Sequence, residues 1–255
     1  FARVAGRDPI DAVVLDRLLL LPGVSLEAYG VLLDALANCE QRRSRRLLLD
    51  RLVRPPVDLA PLILERISDE RWFVQRNLLI LLTRSGCTPA TLSAEPWTTH
   101  PHPHVRYEAI RLQLTLPAEW PLALRTALGD DDPRVIRLGL SAVQHCCPAD
   151  VLTLVTRVAA DAGAPEQLRT LALRALGRSR EPQALDTLLA AVDGGTTLLG
   201  MPRAPVPTPP VLAALRALTE GWSSAPRARA VLALAKDAVA PDPANFEEFA
   251  SAVTS

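Results

Sequence analysis

The chain has 255 residues, 49% of them hydrophobic, and its 28 basic and 28 acidic residues give a formal net charge of zero. This apolar content can fill a continuous core, and its even spread favours one elongated domain over residues 1–255. The balanced charge argues against the overall electrostatic field of a nucleic-acid or anionic-membrane binder, while a local charged patch stays open.

Neither a membrane segment nor a signal peptide is recognisable. No apolar run approaches the roughly 18 residues that a membrane-spanning helix needs. The four cysteines lie beside apolar residues without CxxC spacing, which indicates reduced core residues of a cytoplasmic protein: Cys39, Cys87, Cys146 and Cys147. The chain begins at Phe1 instead of methionine, which favours a segment of a longer protein.

Residues 8–67 predict a series of short helices. An Asp-Pro pair at Asp8 opens the first helix, and Pro22-Gly23 ends it. Ser25 opens the second, and Pro55-Pro56 stops the third. The predicted ranges are 8–21, 25–38, 41–53 and 59–67. The spacing within them is irregular, so they are expected to be degenerate repeats.

Residues 68–193 predict regular helix pairs. Ser68-Asp69-Glu70 is expected to cap a helix that Ser85-Gly86 closes, and its apolar density implies burial on more than one side. Residues 88–99 are degenerate, because Pro89 and Pro96 permit at most a short helix. The regular pairs that follow are 103–115 with 118–128, 133–146 with 149–160, and 165–177 with 182–192.

One helix-start pattern recurs along these pairs. Asp130 to Val143 begins with acidic residues and a proline, and then continues with apolar residues at spacings of three and four. The first aliphatic residue of each opening helix stands at position 74, 105, 135 or 168, and these positions are 31, 30 and 33 residues apart. A period in this range indicates stacked helical units that bury their faces against each other.

The motifs within this period resemble HEAT repeats, in the short bacterial form. They are Val105-Arg106 followed by Ala109, Leu168-Arg169 followed by Ala172, and Asp-Pro before Arg134-Val135. The resemblance covers residues 68–240 well and 8–67 weakly. It implies an all-α fold: an α-solenoid of stacked antiparallel helix pairs that forms a right-handed superhelix. Opening helices would lie on the convex side, and second helices would line a concave groove.

The resemblance also implies a recurrent arginine that bonds an acidic turn residue, such as Asp69 or Asp131. The matching positions are Arg76, Arg106, Arg137 and Arg169. Two repeats depart from the pattern, because Gln75 follows Val74, Ile136 follows Val135, and Gly139 replaces the usual alanine. Those two repeats are expected to lack the arginine contact.

Two segments interrupt the repeats. Residues 194–210 contain three glycines and five prolines, which predicts a long insertion that is either disordered or functional. A last repeat follows over 211–240, as a helix pair over 211–221 and 226–240. The tail, 241–255, leaves the pattern, and either it forms a short docking helix with Phe246 and Phe249 turned inward or it frays.

Histidines and cysteines suggest zinc by residue type, but their placement argues against a metal site. The two groups are His100, His102 and His104, and His145, Cys146 and Cys147. The first group begins one opening helix and the second ends the next, so a helix of about 12 residues would separate them by roughly 18 Å. We expect no metal and no cofactor, and we interpret the histidine run as a polar turn with His102 at the helix cap.

The densest basic cluster consists of Arg42, Arg43, Arg45 and Arg46. One hypothesis is that it binds an acidic partner, a phosphate or a nucleic acid through bidentate hydrogen bonds. The other is a solvated helix face whose arginines pair with Glu40 and Asp50. No aromatic residue interleaves with these arginines in the sequence, which weakens a stacking-based nucleic-acid site.

Catalytic patterns are absent from the sequence, which contains no phosphate-binding loop, no GxSxG and no HExxH. The four tryptophans stand in separate units. Trp72 is expected in the core, and Trp97 and Trp120 are either exposed anchors or packed residues. An enzyme is therefore not expected.

A noncatalytic protein-interaction scaffold or regulatory module is the leading functional prediction. Its contact row would consist of polar residues of the second helices, away from the leucine stripe: Arg125, Thr126, Thr156, Arg157, Asp186 and Thr187. The partner would be a peptide or a folded domain, with nucleic acid and membrane not expected. Two alternatives stay open, a nucleic-acid-binding or DNA-glycosylase-like HEAT protein and an enzyme accessory subunit similar to the phycobilin-lyase relatives.

Overall fold

The computed structural model describes residues 1–5, 9–21, 23–86, 92–196, 203 and 205–239, with side chains up to residue 236. Within these ranges the chain is all-helical and contains no strand. The predictions on Asp8, Pro22, Cys87, residues 197–202 and 204 of the 194–210 insertion, and the 241–255 tail lie outside the described residues. No helix in the described ranges is long and apolar enough to cross a membrane.

The chain divides into two compact units, Phe1–Trp120 and Pro121–Ser255. The first contains eight described helices: α1 (Ala2–Ala5), α2 (Ala12–Leu19), α3 (Leu26–Asn38), α4 (Arg42–Leu52), α5 (Ala60–Arg66), α6 (Trp72–Ser85), α7 (Glu95–Thr98) and α8 (Pro103–Gln113). The prediction of a single domain with internal repeats stays a prediction.

Helix α6 is the centre of the first unit. It packs against α3, α4, α5 and α8, and its leucines are buried on more than one side, as predicted from its apolar density. Leu78, Leu79, Leu81 and Leu82 are all almost fully buried. Gly86 ends α6 in the left-handed conformation, with φ of 69°, a conformation that glycine adopts without strain. Leucines at helical spacing and a glycine stop therefore fix this helix locally.

The second unit contains helices of more even length. They are α9 (Trp120–Gly129), whose first residue belongs to the first unit, α10 (Pro133–Ala142), α11 (Leu152–Ala160), α12 (Glu166–Leu176), α13 (Pro182–Ala191), α14 (Pro209–Trp222) and α15 (Pro226–Val239). A 3-10 turn at Ala149–Val151 precedes α11. Helix α10 is four residues shorter than the predicted 133–146, and α14 begins two residues before the predicted 211, because Pro209 and Pro210 fit its first turn.

The helices of the second unit pack in two series. Helix α12 contacts α10 and α14, and α13 contacts α11 and α15. Consecutive helices from α11 to α15 also contact each other. Gly139 of α10 lies against α9, where an added Cβ would be 2.8 Å from the Ala127 Cβ atom. This close approach explains why glycine stands where the repeat pattern has alanine.

Two predicted helix starts differ from the structure. Helix α2 begins after Asp11, whose carboxylate accepts hydrogen bonds from the Val13 and Val14 amides, instead of at Asp8. Helix α6 begins after Arg71 without a side-chain cap, because the Asp69 carboxylate accepts from the Arg71 amide and guanidinium. Acidic side chains thus stabilise the turns where these helices begin, but the N-caps are Asp11 and Arg71, three and two residues after Asp8 and Asp69.

The Asp-Pro start at α10 matches its prediction. Asp132 is the N-cap, and its Oδ1 atom accepts a hydrogen bond of 2.8 Å from the Arg134 amide. A side-chain hydrogen bond from the Arg134 guanidinium, 2.8 Å from Oδ2, lowers the pKa of this carboxyl to about 2, although burial opposes the shift. Pro133 occupies the first helical position, where no amide hydrogen is needed.

Replacing Asp132 by alanine is expected to lower the free energy of unfolding by about 1 kcal/mol at neutral pH, since the cap is lost. The folded-state pKa lies below the unfolded value of 3.8. The ionised carboxylate therefore contributes stability above about pH 4, and this contribution fades towards about pH 2. Urea unfolding across this range should show the gap between the two proteins narrowing as the pH falls. A constant gap would contradict this assignment, and Asp132→Asn should keep most of the cap without the pH dependence.

Candidate functional site

A groove in the first unit collects five arginines from helices α4 and α6. Its volume is about 730 Å³. The lining residues are Arg42, Arg45, Arg46, Leu49 and Asp50 from α4, and Trp72, Phe73, Arg76, Asn77 and Arg84 from α6. We refer to this feature as the arginine groove.

The sequence of α4 places its arginines on this groove. Arg42, Arg45 and Arg46 are three and four residues apart, so they share one helix face. The opposite face is buried through Ser44, Leu48 and other residues that pack into the core. Arg43, which the sequence grouped with the cluster, is exposed and does not line the groove.

Most of the groove's positive charge has no acidic partner. Among the described residues, Arg42, Arg45, Arg46 and Arg76 form no ion pair within 4.0 Å. Asp50, which the sequence offered as a partner for the cluster, pairs with Arg84 at 3.4 Å. The predicted pairing with Asp50 is therefore wrong for Arg42, Arg45 and Arg46. Five arginines face one aspartate across a cavity, and like charges so close together favour an anionic ligand.

The deepest part of the groove holds donors that lack acceptors. Asn77 is only 2% exposed, and its Nδ2 atom is buried without a hydrogen-bond partner. The neighbouring Arg76 Nε atom is buried and unpartnered as well. Burial lowers the pKa of the Arg76 guanidinium, with Glu108 raising it and Arg45 lowering it further. A buried donor without an acceptor costs about 1–3 kcal/mol, so these two groups are suited to an acceptor from outside.

Aromatic side chains stand next to these arginines, which the sequence did not suggest. Trp72 and Phe73 line the groove, and their rings meet edge to face with centroids 6.0 Å apart. Trp72 also stacks on His102 at 3.6 Å, and the Arg71 guanidinium lies 5.7 Å from the centre of the Phe73 ring. Trp72 was expected in the core, but it is half-buried at the edge of the core.

The predicted polar row lies on α9, α11 and α13 of the second unit, and its threonines bond within their own helices. Each hydroxyl donates to the carbonyl oxygen four residues earlier, at 2.7–3.0 Å. The three residues are Thr126, Thr156 and Thr187. Such internal bonds occupy the hydroxyl donors, although each oxygen can still accept.

The charged members of the row also have partners within the chain. These contacts are Arg125 with Asp150 at 3.3 Å, Asp186 with Arg227 at 2.6 Å, and Arg157 with the Leu128 carbonyl oxygen at 3.2 Å. All six row residues thus make internal hydrogen bonds or ion pairs. A partner at this surface would compete with contacts already formed, whereas the arginine groove offers unpaired groups.

The recurrent arginines make varied contacts. Arg137 donates to the Gln167 Oε1 atom at 2.9 Å, and Asp69 pairs with Arg71 instead of Arg76. Among the described residues, neither Arg76 nor Arg137 forms an ion pair with an acidic turn residue, and the expectation about these two repeats stays a prediction. Arg106 donates to the carbonyl oxygens of His100 and Pro101. Arg169 has a buried Nε atom without a partner.

The histidine run forms a polar turn before α8, as predicted. The His102 Nδ1 atom caps the helix by accepting from the His104 amide, and the His100 Nδ1 atom accepts from the His102 amide. In the part of the chain that the structure describes, no three His, Cys, Asp or Glu side chains are placed to hold a metal ion. The described cysteines form no disulfide with one another: Cys39, Cys146 and Cys147.

A smaller basic cavity of about 390 Å³ lies between α12 and α14 of the second unit. Arg174, Arg178 and Arg216 line it, and Arg178 pairs with Glu220 at 3.3 Å. This cavity has fewer unpaired arginines than the arginine groove and no buried unpartnered donor among its lining side chains. The arginine groove is therefore the stronger candidate site.

No protein-family model, no curated protein and no solved structure matches this chain. The functional assignment therefore depends on the geometry and charge of the arginine groove itself.

Proposed function

We propose that this protein is a noncatalytic interaction scaffold that holds an acidic segment of a protein partner in the arginine groove. The observation that carries the proposal is the set of four groove arginines that form no ion pair with any described acidic residue. A preformed groove on two packed helices needs little ordering on binding, so more of the interaction energy is retained. Carboxylates of the partner would meet the guanidinium groups in paired hydrogen bonds.

The architecture proposed for this scaffold is a HEAT-like α-solenoid of antiparallel helix pairs with a right-handed superhelical turn. The packing of α10, α12 and α14 in one series and of α11, α13 and α15 in another supports this arrangement in the second unit. The period of about 31 residues between opening helices supports it from the sequence. A cytoplasmic location is part of the proposal, supported by the lack of a disulfide among the described cysteines.

The proposal moves the contact surface from the one that the sequence favoured. Helix α6 is an opening helix of the predicted repeats and α4 lies in the irregular N-terminal part, whereas the polar row lies on second helices. The row stays a candidate surface, but its internal ion pairs leave less to gain from a partner. Exposed pairs of this kind contribute only about 0.2–1 kcal/mol, so they could open if a partner offered stronger contacts.

Single-stranded nucleic acid is the second candidate, because Trp72 and Phe73 stand beside the groove arginines. Stacking of a base on an aromatic ring contributes about 1–3 kcal/mol, and arginines would track the backbone. However, one face of Trp72 is stacked on His102, and Arg71 lies over Phe73. These neighbours cover part of the ring surfaces on which a base would stack, which favours the protein partner.

Charge reversal separates the two candidate surfaces. The probe is a fluorescein-labelled peptide of glutamates with one central serine, and its affinity is measured by fluorescence anisotropy. Arg42→Glu with Arg46→Glu is expected to weaken binding about 100-fold, because each lost charged hydrogen bond costs about 1.5–3 kcal/mol. Higher salt should weaken wild-type binding, since the Debye length falls from about 10 Å at 0.1 M to about 3 Å at 1 M.

The matched control is Arg125→Glu with Arg157→Glu, which changes the net charge equally on the polar row. This variant is expected to keep binding within about twofold, and circular dichroism should show unchanged helicity in both variants. Loss of binding in the row variant with retention in the groove variant would refute the proposal. Tighter binding of a single-stranded oligonucleotide than of the peptide would favour the second candidate.

A further inference from the structure

We propose that the floor of the arginine groove is a subsite for one phosphate group, carried by a phosphorylated serine or threonine of the partner. This inference rests on the proposed function, because it names the group that the same groove recognises. The subsite consists of Arg76 and Asn77 from α6 and Arg45 from α4.

The donors of the subsite come from two helices. Arg76 and Asn77 are adjacent on α6. Arg45 lines the same groove from α4, and its positive charge lowers the pKa of Arg76. The Arg76 Nε and Asn77 Nδ2 atoms are both buried and without partners. A rotation of the Asn77 amide would present its donor to the groove. An anion at this position would therefore satisfy two groups that the folded chain leaves unsatisfied.

A phosphate fits this arrangement better than a carboxylate. It carries about −1.5 to −2 charges at neutral pH and three acceptor oxygens in a pyramidal arrangement. A carboxylate has one charge and two oxygens in a plane. Four arginines that form no ion pair among the described residues line the groove, and they offer planar guanidinium groups from α4 and α6. The greater charge and the third oxygen of a phosphate use more of these groups.

Glu108 is an acidic residue whose charge influences Arg76, but it leaves the subsite cationic. Its carboxylate pairs with Arg111 at 3.5 Å, and no ion pair within 4.0 Å joins it to Arg76. Burial raises the pKa of the Glu108 carboxyl, opposed by Arg111 and Arg76. Arg42 and Arg46 line the same groove and form no ion pair among the described residues, so they can bind acidic residues beside the phosphate.

A phosphopeptide is favoured over the phosphates of a nucleic acid. The two unpartnered buried donors belong to adjacent residues of α6, which suits a single anion, whereas a nucleic-acid backbone needs successive phosphate contacts along a strand. The stacking of Trp72 on His102 also leaves less ring surface for bases.

The test uses isothermal titration calorimetry of the full chain with three forms of the glutamate peptide. Its central residue is serine, phosphoserine or glutamate. Phosphorylation is expected to tighten wild-type binding at least about tenfold over serine and well beyond glutamate. Arg76→Lys keeps the positive charge but removes the planar guanidinium group that can donate two parallel hydrogen bonds. Asn77→Leu removes the amide donor. Each variant should lose most of the phosphate gain while it still binds the serine peptide.

Two variants serve as controls. Arg43→Lys changes an arginine of α4 outside the groove, and Gln113→Met removes an unpartnered buried amide elsewhere in the first unit. Both should keep the full phosphate gain. Asn77→Leu should also raise the unfolding temperature, because it removes a buried donor without an acceptor. Higher stability together with a weaker phosphate gain is a signature that general damage to the fold would not give.

The outcomes distinguish the subsite from the function on which it rests. An equal gain from glutamate and phosphoserine, or a full gain in both Arg76→Lys and Asn77→Leu, would refute the phosphate subsite and leave the acidic-partner proposal standing. No binding of any peptide would refute both. Tighter binding of a single-stranded oligonucleotide than of the phosphopeptide, abolished by Arg76→Lys, would overturn the inference in favour of nucleic acid.

Discussion

Gly221→Ala is expected to lower the free energy of unfolding by about 1–3 kcal/mol, although alanine normally stabilises a helix. Gly221 lies in α14, and a Cβ atom there would collide with the carbonyl oxygen of Gly177 at the end of α12. Backbone atoms cannot move aside as a flexible side chain can, so the two helices would have to separate. Chemical denaturation monitored by circular dichroism measures the loss.

The control for this substitution is Gly129→Ala at the end of α9. A Cβ atom at Gly129 would meet no atom within 4 Å, and its backbone does not require glycine. Alanine there should be neutral or stabilising by up to about 1 kcal/mol. If the two substitutions changed the free energy of unfolding equally, the close approach of α12 and α14 would not require glycine at position 221.

Gln113→Met is expected to raise the free energy of unfolding by about 1–3 kcal/mol. Gln113 of α8 is completely buried, and neither its Nε2 nor its Oε1 atom has a hydrogen-bond partner. Methionine has a similar shape and no polar group that needs a partner. Thermal and urea unfolding of the two proteins provide the measurement.

Gln144→Met is the matched control, because the Gln144 Nε2 atom donates to the Leu140 and Leu171 carbonyl oxygens at 2.8 and 3.0 Å. Removing this satisfied amide should destabilise the protein by about 1 kcal/mol. If Gln113→Met were also destabilising, the amide of Gln113 would have to be satisfied, for example by a buried water.

The helices could be predicted from the sequence because their signals are local. Apolar residues at spacings of three and four, the Asp132 cap and the Gly86 stop each act within a few residues, and α6, α8 and α12 lie within three residues of their predicted bounds. The predicted helix starts were less accurate where two acidic residues could each cap the helix. At α2 the cap is Asp11, three residues after the predicted start.

The arginine groove could be predicted only in part, because it requires contacts between distant residues. The cluster on α4 was visible in the sequence, but Arg76 and Asn77 come from α6, some 30 residues later. Phe73, Arg76 and Asn77 are three and four residues apart, so the sequence could have indicated that they share one face of α6. The resemblance to HEAT repeats implied a turn contact for Arg76 instead.

The polar row illustrates the same limit. The leucine stripe correctly places Arg125 and Arg157 at exposed positions. It could not reveal their partners, since Asp150 and the Leu128 carbonyl are 25 and 29 residues away. Hydropathy periodicity identifies which side chains face outwards, while only the packing of helices decides which of them remain unpaired.

The central claim is that the arginine groove, and not the polar row, holds an acidic partner. Nuclear magnetic resonance of the chain with nitrogen-15-labelled arginine observes the Nε–H groups directly during titration with the phosphoserine peptide. The Arg45 and Arg76 signals are expected to shift and saturate together, while those of Arg125 and Arg157 stay in place. Saturating shifts of Arg125 and Arg157 with unchanged signals from the groove would contradict the central claim.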